Sequence, residues 1–341
     1  MSRPKNKPVH ISCENSRQRG AGTLLAWLLL GVCVIFGVAL AVGGAGGGVS
    51  ALWALLDGGG DPLLGRVIVE LRLPRVAGAM AVGALLAVSG VLMQTLLRNP
   101  LADPYVLGLS GGASCGAILA LAAGASGIWV DGGAWLGALA TMLVVFGLAG
   151  GPGGWERGAR LLLTGVVVAS GWGAAVSFLL YLMPDERLRG ALFWLMGDVS
   201  RGTDPRLALG VLALVVGLVW PFSRALNLLA GGPDRAAALG VAVTPLRVML
   251  YLLSSLAAAS AVATAGSIGF VGLVTPHLLR LAGCGDHRVL LPASALLGGG
   301  LLTLADLLAR TVIAPRQMPA GILTALLGAP LFLWLLRRSG R

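Results

Sequence analysis

Lysine is missing from this chain after position 7. Both of its lysines, Lys5 and Lys7, precede the first apolar run. A phosphate loop of the Walker A kind needs a lysine behind its glycines to reach the phosphates. No such loop exists here, so any nucleotide that drives this chain must be held by a partner. Charge is scarce as well. Asp, Glu, Lys and Arg make up 11% of the 341 residues, against about 25% in a soluble domain. The three histidines (His10, His277 and His287) have no ligand spacing, and the four cysteines (Cys13, Cys33, Cys115 and Cys284) form no CxxC. Neither a metal site nor a disulfide framework is expected. No sequence feature calls for a resident cofactor.

What fills the chain instead is apolar. Hydrophobic residues reach 57% and the mean hydropathy is +0.88. A helix crosses the hydrocarbon core with roughly 20 apolar residues. The runs between Leu24 and Leu336 therefore predict an all-α, polytopic membrane bundle. About ten spans are expected, at 24–43, 74–97, 105–124, 133–149, 160–183, 205–222, 245–265, 268–282, 290–309 and 319–336. The net charge of +11 then reads as basic residues flanking spans, not as a nucleic-acid surface. An even number of spans puts both ends of the chain on one side. The basic tail at 1–23 and Arg337, Arg338 and Arg341 assign that side to the cytoplasm. Ala39-Leu40-Ala41 has the look of a cleavage site. A signal h-region runs only about 7–15 residues, however, so the first run is expected to stay as an uncleaved span. Residues 43–61 read as an external glycine-rich loop and Pro184–Arg189 as a polar turn. Arginines expected on the outer side, Arg72, Arg75 and Arg310 among them, ask for a reason.

The densest pattern runs from Leu71 to Ala113, LRLPRVAGAMAVGALLAVSGVLMQTLLRNPLADPYVLGLSGGA. Pro74 suits a first helical turn, where its missing N–H costs nothing. Gly83, Ala87 and Gly90 set small residues on nearby turns and permit close helix contact. Asn99-Pro100 and Asp103-Pro104 break the helix twice and predict a rigid turn. Two later stretches stand out: GSIGFVGLVTPHLLRLAGCGDHRVLLP at Gly266–Pro292, and ADLLARTVIAPRQMPAGILTALLGAPLFLWLLRR at Ala305–Arg338. Asp286-His287-Arg288 reads as a polar turn, and His277 as a structural histidine.

Together these segments resemble the FecCD family, the membrane subunits of bacterial ABC importers for iron-siderophores, haem and cobalamin. The resemblance covers nearly the whole chain from Arg72 to Arg338. It implies a single permease domain over 24–338 with the type II importer fold in the inner membrane. It also implies a homodimer around a central path, an ABC ATPase dimer below and a periplasmic binding protein above. It gives the outer arginines a role: Arg72, Arg75 and Arg310 would meet carboxylates on the binding protein, since guanidinium forks suit carboxylates. Asp306 and Arg310 are also i,i+4 neighbours, which leaves an intrahelical pair open. The segment at 226–242, containing NLLAGGPDRAAALGV, resembles the family's coupling loop. Asp234 suits the start of a short helix and Gly240 its end. The ATPase contact is expected on Asp234, Ala237, Leu239 and Gly240.

The expectation is a transport subunit with no chemistry of its own, carrying a ferric siderophore, with cobalamin or haem as the alternative. A carrier driven by an ion gradient is the rival. Such carriers keep ionisable residues inside spans, and Asp306 is the main candidate here. Gly108-Leu109-Ser110-Gly111 matches the GxSG of intramembrane proteases, with His277 as the partner for Ser110. That short pattern falls inside the family motif, which already accounts for it.

Overall fold

The computed structural model describes residues 10–42, 62–149, 158–201, 204–314 and 316–339, and all their regular structure is helical. The external loop expected at 43–61 lies outside the described residues. Helix α1 spans His10–Ala41. It takes in Arg17 and Arg19, so helix occupies much of the region expected as a tail. A short α2, Pro62–Arg66, runs through a π-helical stretch, Val67–Arg72, into α3, Leu73–Leu97. Next come α4 at Leu109–Ala122, α5 at Ile128–Ala149 and α6 at Gly158–Leu182. Helices α7 (Asp185–Leu195), α8 (Arg206–Val219), α9 (Ser223–Ala230) and α10 (Pro233–Ala238) follow. The chain closes with α11 at Val243–Ala265, α12 at Val271–Leu281, α13 at His287–Thr311 and α14 at Ala320–Ser339.

Among the described residues, seven helices are long and apolar enough to cross a membrane and three apolar helices are shorter. These ten coincide with the ten expected runs. Burial sorts them into an inside and an outside. In its most apolar stretch α3 is 89% buried, whereas α1 is 17% and α6 11% buried. Leu163, Val167 and Tyr181 on α6 and Trp27 on α1 are exposed. Such an apolar surface fits lipid rather than water.

The centre is held by backbone touching backbone. A Cβ on Gly83 would lie 2.2 Å from the carbonyl oxygen of Gly298 on α13. One on Gly90 would lie 1.9 Å from that of Gly272 on α12. The small residues of α3 are thus the seam along which α12 and α13 approach. In lipid, where apolar tails give no advantage to helix contact, such close packing supplies the attraction.

Two local features differ from expectation or add to it. Pro184–Arg189 is not a free turn: α7 begins at Asp185, with Asp185 and Glu186 in its first turn where the helix dipole favours them. Ala191 and Trp194 bury one side of α7, and the charged start hid that stripe. Between α11 and α12 the helix breaks at 266–270, with Gly266 at φ 71° and Phe270 at φ 70°. Irregular backbone at membrane depth must be enclosed by protein. Here the Ile268 N–H reaches Tyr105 Oη at 3.4 Å, and Trp194, Gly197 and Gly321 pack around the segment.

Candidate functional site: polar clusters at the two ends of the bundle

At one end lie the three arginines singled out from sequence. The last four carbonyls of a helix have no partner within it. At α1 three of them, on Ala39, Leu40 and Ala41, are taken by side chains from other helices. Arg72 Nη1 donates to Leu40 O at 3.0 Å and Ala41 O at 2.9 Å, and Arg310 Nη2 donates to Ala39 O at 2.5 Å. Both arginines are buried, and a cation at a helix C-terminus also complements its dipole. Arg75 grips Asp306 from 231 residues away, with Nη2 at 2.8 Å and Nε at 3.1 Å from each carboxylate oxygen. Its Nη1 donates to Gln317 Oε1 at 2.9 Å. Asp306 also stands 3.8 Å from Arg310 Nε. The i,i+4 pair is present, yet the closer partner of Asp306 is the distant Arg75. Arg72 and Arg310 are each 5% exposed, so little of either side chain is open to a carboxylate on another protein. Arg75 alone of the three keeps part of its side chain exposed, at 16%.

Between α3 and α4 the expected turn forms from its own side chains. Arg98 adopts φ 51° as α3 ends. Asn99 Oδ1 accepts from Leu101 N at 2.9 Å, and Asp103 Oδ1 accepts from Tyr105 N at 2.8 Å. Pro100 follows the first break, and Pro104 opens a 3₁₀ turn, Pro104–Leu107. Burial pushes the Asp103 carboxyl up to about 6, against the lowering effect of the Tyr105 N–H.

At the opposite end, Gly231-Gly232 stops α9 and Pro233 starts α10. Val241 N–H bonds to Ala236 O at 3.0 Å and Gly240 N–H to Ala237 O at 2.9 Å, with Gly240 at φ 84°. These two bonds form a Schellman stop, which needs the left-handed glycine. Ala236 is buried under the helix, while Asp234, Ala237, Leu239 and Gly240 face outward and exposed.

Beside this hairpin lies a network that sequence reading missed. Asn227 on α9, Asp286 and His287 at the start of α13, and Thr95 near the end of α3 are joined by hydrogen bonds. Asp286 is the N-cap of α13, accepting from Arg288 N at 3.0 Å. Burial works to raise its carboxyl, but the bonds from Asn227 and Arg288 N–H, with the Arg288 charge, hold it below the ordinary range. His287 is buried rather than set in a polar turn. The signal available was Asp286 as an N-cap ahead of the apolar run 289–291, which would have placed His287 inside the first helical turn. Elsewhere, His277 has no hydrogen bond at Nε2 and meets the ring of Phe332 edge-on at 6.1 Å. No hydrogen bond joins it to Ser110 among the described residues. No group of three or more candidate metal ligands occurs among them either.

Residues 29–338 match the FecCD transport family. The chain is a member of that family.

The hemin transport permease HmuU of Yersinia pestis is 42% identical to this FecCD chain over 326 residues, covering 92% of it and 96% of HmuU. The vitamin B12 import permease BtuC of Escherichia coli is 40% identical over 295 residues, covering 85% and 89%. Among solved structures, an inward-facing metal-chelate type ABC transporter superposes with a TM-score of 0.83 at 34% identity, covering 93% of this chain and 99% of that one. The FecCD chain is thus a multi-pass membrane permease of an ABC importer, and it is a transport subunit rather than an enzyme. The missing Walker lysine follows from that division of labour, since such a permease works with an ATPase and a substrate-binding protein. In this setting Asp306 is the counter-charge of an arginine cluster, not an ion-coupling carboxylate.

Proposed function

We propose that this FecCD permease imports a bulky metal chelate across the inner membrane as a homodimer, with ATPase subunits seated on α10 and a binding protein at the Arg75 end. Both ends of the chain then lie in the cytoplasm. The observation that carries the reading is the exposed face of α10, with Ala237 and Leu239 outward on a short, firmly stopped helix. Asp234 and Gly240 frame that face. It lies at the opposite end of the bundle from the arginine cluster, as an importer's two docking surfaces would. Haem is the first cargo to test, because the match to a hemin permease spans almost the whole of both chains. Ferric siderophore and cobalamin are the other two. Docking of the binding protein falls chiefly to Arg75, with Arg72 and Arg310 fixing the end of α1 beside it.

The purified chain alone should hydrolyse no ATP. Reconstituted with its ATPase and binding protein, it should take up one of haem, cyanocobalamin or a ferric hydroxamate in an ATP-dependent way. Hydrolysis by the chain alone, or uptake driven by an ion gradient without ATP, would overturn the reading.

The α10 contact has its own test. Ala237 is exposed, so Ala237→Glu should fold normally yet fail to capture the ATPase in a pull-down, and uptake should drop to background. Normal capture and uptake would place the contact elsewhere.

A further inference from the structure

We infer that Asn227 and His287 are positioning residues that transmit movement of the α9–α10 hairpin to α3 and α13. The inference rests on the reading of α10 as the ATPase contact. Helix α9 lies against the bundle through Ser223, Leu226 and Leu229, which are buried at intervals of three. Packing of that kind can slide. What fixes its position is the Asn227 side chain. Its Oδ1 receives the backbone N–H of His287 at 3.0 Å and faces His287 Nδ1 at 2.6 Å, while its Nδ2 donates to Asp286 Oδ1 at 2.8 Å. Only one orientation of the amide satisfies all three contacts, because the flipped form would set NH₂ against two ring and backbone nitrogens and oxygen against a carboxylate. Trp220 Nε1 adds a bond to Arg288 O at 3.2 Å. The hairpin is thereby tied to the first turn of α13.

The chain of bonds continues inward. An amide oxygen can only accept, so His287 Nδ1 carries the proton it shares with Asn227. In a neutral ring Nε2 is then bare and stands 2.9 Å from Thr95 Oγ1, whose one proton is shared between that nitrogen and Val91 O at 2.8 Å. Thr95 sits next to Gln94, which accepts from Arg280 and donates to Leu273 O at 3.3 Å. The last turns of α3 are therefore joined to α12 and α13 as well. Helix α3 is the one packed backbone to backbone along the centre of the bundle, through Gly83 and Gly90. A displacement of α10 crosses two glycines to reach α9 and then one side-chain amide to reach α13. One imidazole further on it reaches α3. Several hydrogen bonds converging on one partly buried amide leave little freedom for the parts to move separately.

The test separates transmission from folding. Asn227→Ala removes the link to α13. His287→Asn keeps a donor near the place of Nδ1 and loses the reach to Thr95, whereas His287→Gln reaches toward Thr95 and gives up the side-chain contact with Asn227, the backbone N–H bond remaining. Thr95→Val cuts the last link. Each of the four variants would be reconstituted with the ATPase and binding protein. The probe would be whichever of haem, cyanocobalamin or ferric hydroxamate the wild type carries. Expected is ATP hydrolysis and ATPase capture near wild type, with uptake per ATP hydrolysed down by up to about tenfold, the upper end of what one hydrogen bond contributes. Unchanged uptake per ATP in the variants that fold would overturn the inference, and so would a lowered melting temperature accompanied by an unchanged ratio. Should Asn227→Ala fail to fold, Thr95→Val and His287→Asn still decide. Ala237→Glu run alongside tells the two readings apart: if it blocks capture while the four variants couple normally, only the present inference fails. If it captures normally, the α10 contact fails first and the inference that rests on it is overturned too.

Discussion

Gly90→Val is expected to abolish the folded permease. The new Cβ would lie 1.9 Å from the carbonyl oxygen of Gly272 and 2.7 Å from its carbonyl carbon. Both atoms are backbone, so no rotamer change relieves the clash. Helices α3 and α12 would have to part. Overpacking in a core usually costs about 1–3 kcal/mol. Here the cost is larger, because parting the two helices gives up the close packing that holds them together in lipid. Even Gly90→Ala should lower the melting temperature clearly. The control is Gly171→Val on α6, where a Cβ meets nothing within 4 Å. In detergent extracts the Gly90 variant should lose its single peak on size exclusion while the Gly171 variant keeps it. Wild-type elution and melting of Gly90→Val would show that the seam is not as tight as described.

The second large effect belongs to Asp306. Asp306→Ala leaves Arg75 and the buried Arg310 without the carboxylate that faces both. Removing one partner of a buried ion pair costs about 3–5 kcal/mol, because the other charge stays behind uncompensated. Asp306→Asn keeps an acceptor for Arg75 and should lose less. Arg75→Met combined with Asp306→Leu removes both charges and should regain part of the loss. Thermal melting of the three variants beside the wild type in detergent gives the comparison. A carboxylate serving ion coupling would behave otherwise: Asp306→Asn would melt like wild type and transport nothing. That pattern would refute the structural role.

Much of the bundle was legible because its signals are local. Apolar runs marked the ten apolar helices among the described residues, and Asn99-Pro100 and Gly231-Gly232 marked ends that the structure keeps, whereas helix continues upstream of Pro74 through the π-helical stretch. The small residues of α3 were legible as a contact face. Their partners Gly272 and Gly298 were not, since periodicity within one helix says nothing of what lies opposite. The same limit applied to charge. An arginine at a span end looks alike whether it meets water or the carbonyls of another helix. Arg310 finds Ala39 across 271 residues, and Arg75 finds Asp306 across 231. His287 and Asn227 were hidden in segments that read as a turn and a loop, because a polar residue buried at a helix junction has the same local pattern as one in solvent.

The seam along α3 also sets a problem of timing during synthesis. Thr95 and its partner His287 are 192 residues apart, and Gly83 meets a glycine that comes later still. At about 5–20 residues per second, α3 exists for roughly 10–40 s before α12 and α13 emerge. For that interval its row of small residues has no second backbone to meet. Lipid chains cannot fill a groove cut to fit a peptide carbonyl, so the nascent helix needs a temporary neighbour, either an earlier helix of its own chain or the insertion machinery. In the half-made state the innermost helix of the finished permease thus still waits for the partners of its packing face.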